Sequence, residues 1–232
     1  MRILLDGCVF CDSYNEVFGN TPEFKRITEE KLDSRILFET ENFAVFPTVG
    51  QIVEGYLLIM PKTHVSAISN LEKNLLDELE YVYSEVRTIL KEHYSEPIFF
   101  EHGVCRSEYE FNGSCIDHAH IHAVLAPVNI SDELKKEFKY TKINSISDLG
   151  NYNGTNYLYV NDISGDKLIL EANNIRSQHI RYLIADALKT PEKGDWYLYP
   201  GRDEMINTIN KLSGIEIKSF KEAMLIVNQD GK

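Results

Sequence analysis

The sequence predicts an α+β fold, an antiparallel sheet with one long helix laid against it, followed by a C-terminal α+β extension. Three observations predict it. Leu71, Leu75, Leu76, Leu79, Val82, Tyr83, Val86, Ile89 and Leu90 recur with the helical period and mark one long helix. Short apolar or alternating runs of strand length lie on both sides of it. Helices and strands interleave without the steady βαβ repeat that a parallel sheet requires.

In chain order, a C-x-x-C pair (Cys8, Cys11) comes first, followed by a polar stretch. Residues 36–38 and 43–46 read as short strands, and Gly50 breaks the chain before the continuous apolar run 56–61. Ser69 and Glu72 have the Ser-x-x-Glu spacing of a capping box, which predicts the start of the long helix there. Residues 97–101 read as a strand, a polar glycine-containing loop runs to Gly113, and 118–125 reads as a further strand closed by Pro127. Ser131-Asp132 opens a short charged helix. Residues 141–156 are polar and read as a loop, so the domain line is drawn there: 1–140 as one domain, 141–232 as an extension packed on it. Strands at 157–161 and 167–171 and helices at 177–189 and 202–212 are expected within the extension.

Composition narrows the function classes. With 36 Asp+Glu against 24 Lys+Arg, the net charge of −12 argues against non-specific binding to nucleic acid or an anionic membrane. A small anionic ligand stays compatible, because a local pocket can be positive on a negative molecule. At 232 residues and 43% hydrophobic, the chain can bury a core without disulfide staples. No stretch approaches the roughly 18 to 20 apolar residues of a membrane-spanning helix. The opening MRILLDGCVFCD is too short in its apolar run and too acidic, at Asp6 and Asp12, for a secretory leader. A cytoplasmic protein with reduced cysteines is expected.

The chemistry concentrates in His118-Ala-His120-Ile-His122. Side chains at i, i+2 and i+4 of a strand share a face, so the three imidazoles line one side while Ala119, Ile121 and Ala123 turn to the other. Two functional readings compete for such a row: a metal site and a phosphate-handling site.

Here the sequence resembles a known family. The block from Gly113 to Val124, with its H-A-H-I-H core, resembles the signature of the histidine triad (HIT) family of nucleotide hydrolases and transferases. Gly55-Tyr-Leu-Leu-Ile-Met-Pro61-Lys62-Thr-His64-Val resembles that family's G-H-x-L-V-x-P-K-x-H-V segment, and Cys8-Val-Phe-Cys11 its N-terminal zinc knuckle. Order and separation agree for all three, over roughly residues 5–130.

The resemblance implies a mechanism. His120 would attack the α-phosphorus of a nucleotide and form a covalent nucleotidyl-histidine, which splits one displacement into two. His122 would donate to an α-phosphate oxygen or to the leaving group. The substrate would be a dinucleoside polyphosphate, a nucleotide-sugar or a phosphoramidate, and the complete triad favours hydrolysis over nucleotidyl transfer or phosphorolysis. A structural Zn²⁺ is implied at Cys8, Cys11, His64 and His118, the composition of a closed tetrahedral site. Many members are homodimers, so a homodimer is possible here. A zinc-stabilised nucleotide-binding module with little turnover, and a metallohydrolase using the triad to hold a catalytic metal, are the readings from other classes.

The sequence departs from the family pattern at the pocket. Tyr56 stands in place of the G-H histidine, Ser114 in place of a common Gln, and Cys115 in place of a hydroxyl that binds phosphate. A thiol is a poorer donor than a hydroxyl. In the extension, Gln178 and Arg181 lie three apart at a helix start and are candidates to reach a phosphate together. Trp196, Tyr197 and Tyr199 are read either as a base-stacking surface or as the core of a small domain. His93 and His102 are expected at the surface.

Overall fold

Eight strands hydrogen-bond into one antiparallel sheet among the described residues. The structure is a computed structural model and describes residues 8, 10, 11, 35–103, 118–171, 175, 176 and 178–230. The strands are β1 (Phe38–Glu39), β2 (Phe43–Pro47), β3 (Leu57–Pro61), β4 (Ile98–Gly103), β5 (Ile121–Val124), β6 (Tyr140–Ile143), β7 (Tyr157–Asn161) and β8 (Lys167–Glu171), ordered β1-β2-β3-β5-β4-β7-β8-β6. The helices are α1 (Lys73–His93), α2 (Ser131–Glu137), α3 (His179–Ala187), α4 (Arg202–Leu212) and α5 (Phe220–Asp230). The α+β class read from the sequence is the one observed.

Period-two alternation sorts the core into two layers. On β5, Ala119, Ile121 and Ala123 face the layer that holds Leu79, Val82, Val86 and Leu90 of α1. The opposite face of the sheet collects Tyr56, Leu58, Phe100, Leu158 and Leu170 with Ile180, Ile184 and Ala185 of α3, together with Cys8, Phe10 and Cys11. The histidine row therefore looks away from the long helix, toward the knuckle and the extension. No helix among the described residues is long and apolar enough to cross a membrane.

Three local expectations are corrected. Ser69 does not cap α1: it lies buried in a short 3-10 turn (Ile68–Asn70), its N–H donates to Tyr157 Oη, and Glu72 takes the N-cap position without a side-chain bond. Burial against β7 outcompeted the local motif. Residues 141–156 are not a loop, since they finish β6 and form a 3-10 helix (Ile146–Tyr152), whose Ser145 and Asp148 do make a capping box. Period gave no signal there because β6 is an exposed edge strand and carries little apolar alternation. The third expectation, His102 at the surface, fails because the strand expected at 97–101 runs on to Gly103.

The extension is joined to the sheet rather than appended to it. β7 pairs along β4 from Phe99↔Asn161 to Gly103↔Tyr157, and the 140/141 line falls inside β6. A second junction forms where Gly50 and Gln51 pass Pro200 and Gly201. Gly50 N–H donates to Pro200 O at 2.6 Å, and a Cβ at Gly201 would sit 2.5 Å from Gln51 O. Gly50 (φ +85°) and Gly201 (φ +59°) supply the left-handed backbone that this approach needs. Truncation after Lys139 would strip β6, β7 and β8 and bare the full edge of β4. The truncated chain is expected to aggregate or to bind a hydrophobic dye strongly. A soluble, monomeric product with unchanged melting behaviour would contradict that expectation.

Candidate active site

Neighbouring strands fix the row of imidazoles. His122 sits between Leu58 of β3 and Phe100 of β4 in register. The Phe100 ring stacks on it at 4.3 Å and 8° between planes. His120 meets His122 edge-on, with centroids 4.6 Å apart, and Phe10 of the knuckle packs edge-on against His120 at 5.4 Å. Both imidazoles are held below the ordinary histidine range, His122 the more strongly, first by burial and then by nearby positive charge that includes Arg181. At neutral pH the pair is uncharged.

Hydrogen bonds assign the ring protons. His120 Nδ1 lies 2.7 Å from the His118 carbonyl oxygen. A carbonyl only accepts, so Nδ1 carries the hydrogen and Nε2 holds a free lone pair. His122 Nδ1 is 2.8 Å from the Tyr56 hydroxyl. That hydroxyl also meets the Arg181 guanidinium, which has donors only. The Tyr56 oxygen thus accepts from Arg181 and its hydrogen goes to His122 Nδ1, leaving His122 with a proton on Nε2. Adjacent ring nitrogens of opposite character, one a nucleophile and one a donor, result from this arrangement.

Arg181 is itself fixed by the extension. Its Nη2 donates to Gly50 O at 2.7 Å and Lys193 O at 3.3 Å, and its Nε to Gly194 O at 3.2 Å. The side chain is buried, as is Tyr56, so both stand behind the imidazoles instead of in a cavity open to a phosphate. Gln178 is half-buried in a left-handed N-cap conformation (φ 61°), and its Oε1 accepts from Trp196 N–H at 3.4 Å. It faces the turn of the extension, and the pairing of Gln178 with Arg181 on one ligand is not formed. Trp196 packs its Cβ over Gly50, while Tyr197, Leu198 and Tyr199 are exposed. His93, the last residue of α1, is exposed as expected. Ser114 and Cys115, with Asp117, lie outside the described residues.

On the other side of the row, Cys8, Cys11, His64 and His118 bring their ligand atoms within 4.8 Å of one another. His118 Nδ1 is 3.6 Å from Cys8 Sγ and 3.5 Å from Cys11 Sγ, and His64 Nδ1 is 3.4 Å from Cys11 Sγ. Tetrahedral bonds of about 2.3 Å to sulfur and about 2.0 Å to nitrogen imply a sulfur–nitrogen separation of about 3.6 Å. His118 Nε2 donates to Pro61 O at 2.7 Å, so its Nδ1 is bare and directed at both sulfurs. Burial pushes that imidazole down to about 4, the neutral form that ligation needs. One lone pair cannot serve two thiol donors, whereas one cation satisfies all four ligand atoms, so the donor set fits a metal.

One residue of the site was missed from the sequence. His102 lies on β4, two residues beyond Phe100 and on the same face, with Leu158 as its partner on β7. The signal was available: the alternation Phe100, His102 continues the strand for one more pleat, and a glycine at 103 does not end it.

The family model described as "Scavenger mRNA decapping enzyme C-term binding" matches residues 21–137. No curated protein matches the chain significantly. Among solved structures, a hypothetical histidine triad nucleotide-binding protein from Sulfolobus tokodaii is 22% identical, covering 50% of this chain and 67% of its own, with a TM-score of 0.36. A Zn-bound histidine triad family protein from Mycobacterium smegmatis is 18% identical over 44% of this chain and 72% of its own, TM-score 0.33. A HIT family hydrolase from Clostridium thermocellum is 17% identical over 52% of this chain and 90% of its own, TM-score 0.35.

Proposed function

Because this chain belongs to the histidine triad family through the scavenger-decapping model that spans half of it, we propose that it is a cytoplasmic nucleotidyl hydrolase. Its substrate is a nucleoside phosphate derivative with a leaving group on the α-phosphate. The observation that carries the reading is the proton assignment at the paired imidazoles: a bare Nε2 on His120 beside an N–H on His122.

His120 Nε2 attacks the α-phosphorus with its lone pair. A P–N bond forms, the P–O or P–N bond to the leaving group breaks, and the leaving group departs with that electron pair. His122 Nε2–H donates to a non-bridging oxygen as charge builds there, or protonates the leaving atom. Water then attacks the same phosphorus and the P–N bond to His120 breaks. The imidazole returns neutral with its Nδ1–H still bonded to His118 O, and the water's spare proton goes to solvent. The His118 carbonyl stabilises the ring while it carries positive charge as the nucleotidyl adduct.

Zinc at Cys8, Cys11, His64 and His118 supplies charge and a rigid cross-link. It fixes the strand that bears His118 O and seats Phe10 against His120. Neither His120 nor His122 belongs to that donor set, which favours the hydrolase over the metal-catalysed reading. Arg181 and Tyr56 act as positioning residues through His122, and residues 141–232 serve as an extension that completes the site.

Tyr56→Phe tests the positioning claim. The variant keeps the buried ring but frees His122 to take the wrong tautomer, and kcat is expected to fall roughly 10- to 100-fold with KM little changed, by analogy with the loss of outer-shell partners at other sites. Mass spectrometry of protein quenched with a panel of nucleotides tests the reaction itself, through a nucleotide adduct on His120. Absence of any adduct and of any turnover across the panel would favour the binding-module reading.

A further inference from the structure

The mechanism leaves His102 unused, although its position is unusual. The β4–β5 pairing runs Ile98↔Val124, Phe99↔Ala123, Phe100↔His122. One more pleat sets His102 across from His120, on the face that carries the nucleophile. Its Nε2 is buried and has no hydrogen-bond partner among the described residues. Buried polar atoms are nearly always paired, so an orphaned ring nitrogen beside the reacting centre marks a place that a ligand atom fills.

A second imidazole reaches the same place from the extension. His179, the first residue of α3, has a buried Nε2 that also lacks a hydrogen-bond partner among the described residues. The nearest carboxylate oxygen, on Glu137, is 3.8 Å away. His102 feels the charge of both His179 and His120, so the three rings surround one volume. Burial and these neighbours hold His102 down to about 4. It is therefore neutral at physiological pH with one N–H to give. The other charged group near His179 besides Glu137 is Arg176, which is also positive.

We propose that His102, with His179, forms the subsite for the leaving group, and that the leaving group is a phosphate. The proposal rests on the hydrolase reading and narrows its substrate class to nucleoside polyphosphates, dinucleoside polyphosphates or nucleotide-sugars, as against phosphoramidates. The chemistry is direct. A phosphate or phosphate ester leaves as an anion whose oxygens accept hydrogen bonds from two imidazole N–H groups, and it takes the electron pair of the broken P–O bond without needing a proton. An amine leaving group must instead be protonated, and presents no anionic oxygen to this pair.

The test uses the full chain and two substrates that share a nucleoside: a symmetrical dinucleoside triphosphate and the matching nucleoside 5′-phosphoramidate, each with adenine and with guanine. Wild-type protein is expected to prefer the triphosphate in kcat/KM. His102→Ala is expected to lower kcat/KM for the triphosphate at least ten-fold more than for the phosphoramidate, and His102→Asn, which restores an N–H, to recover part of that ratio. A wild-type preference for the phosphoramidate overturns the proposal and needs no variant. So does an equal loss on both substrates in His102→Ala, which is what a purely structural role would give. In either case turnover itself persists and the hydrolase reading stands. No turnover and no histidine adduct with any substrate defeats that reading first, and this proposal with it.

Discussion

His120→Ala is expected to abolish turnover, by about 10⁴-fold or more in kcat, while nucleotide affinity changes little. The covalent bond to this residue exists only along the reaction path, whereas ground-state binding comes from contacts to base, ribose and phosphate elsewhere. The ring packs edge-on against Phe10 and His122, so alanine removes some packing, and the melting temperature must be read alongside the kinetics. Wild-type protein is expected to accumulate an acid-labile, base-stable nucleotide on His120 whenever the second step is slow, and the variant must not form it. Normal turnover in His120→Ala, or an adduct that maps to another residue, removes the mechanism.

The second large effect concerns the metal. One zinc per chain is expected by elemental analysis of the purified protein, and Cys11→Ser is expected to lose it. Structural zinc in small sites is worth on the order of 10 kcal/mol of folding free energy, comparable with the whole stability of an ordinary domain, roughly 5 to 15 kcal/mol. The variant should therefore melt far below the wild type or fail to fold, before any separate effect on chemistry can be measured. A chelator should depress the wild-type melting point in the same direction, and added zinc should restore it. Wild-type protein that is metal-free, folded and active contradicts the assignment.

Much of this molecule was legible from local patterns. The period of α1, the runs that became β2 and β3, and the alternation through His118, His120 and His122 each place their own residues on a face, because that information is carried within a few residues of chain. The donor set Cys8, Cys11, His64 and His118 was reached through the family resemblance, and the fold brings those four ligand atoms together. The capping box at Ser69 was misread because its competitor, the Tyr157 hydroxyl, lies 88 residues away.

What the sequence determined by itself was therefore the α+β class, the long helix and the shared face of the three histidines. Tertiary structure alone decided the rest. It turned Tyr56 and Arg181, candidate ligand contacts in the sequence, into a buried chain of donors that sets the tautomer of His122. It placed His102 beside His120 through strand register, and made the extension part of the same sheet. The physical reason is common to all three. A hydrogen-bond partner or a cross-strand neighbour is set by register and burial between segments distant in the chain, and neither quantity is written in the spacing of nearby residues.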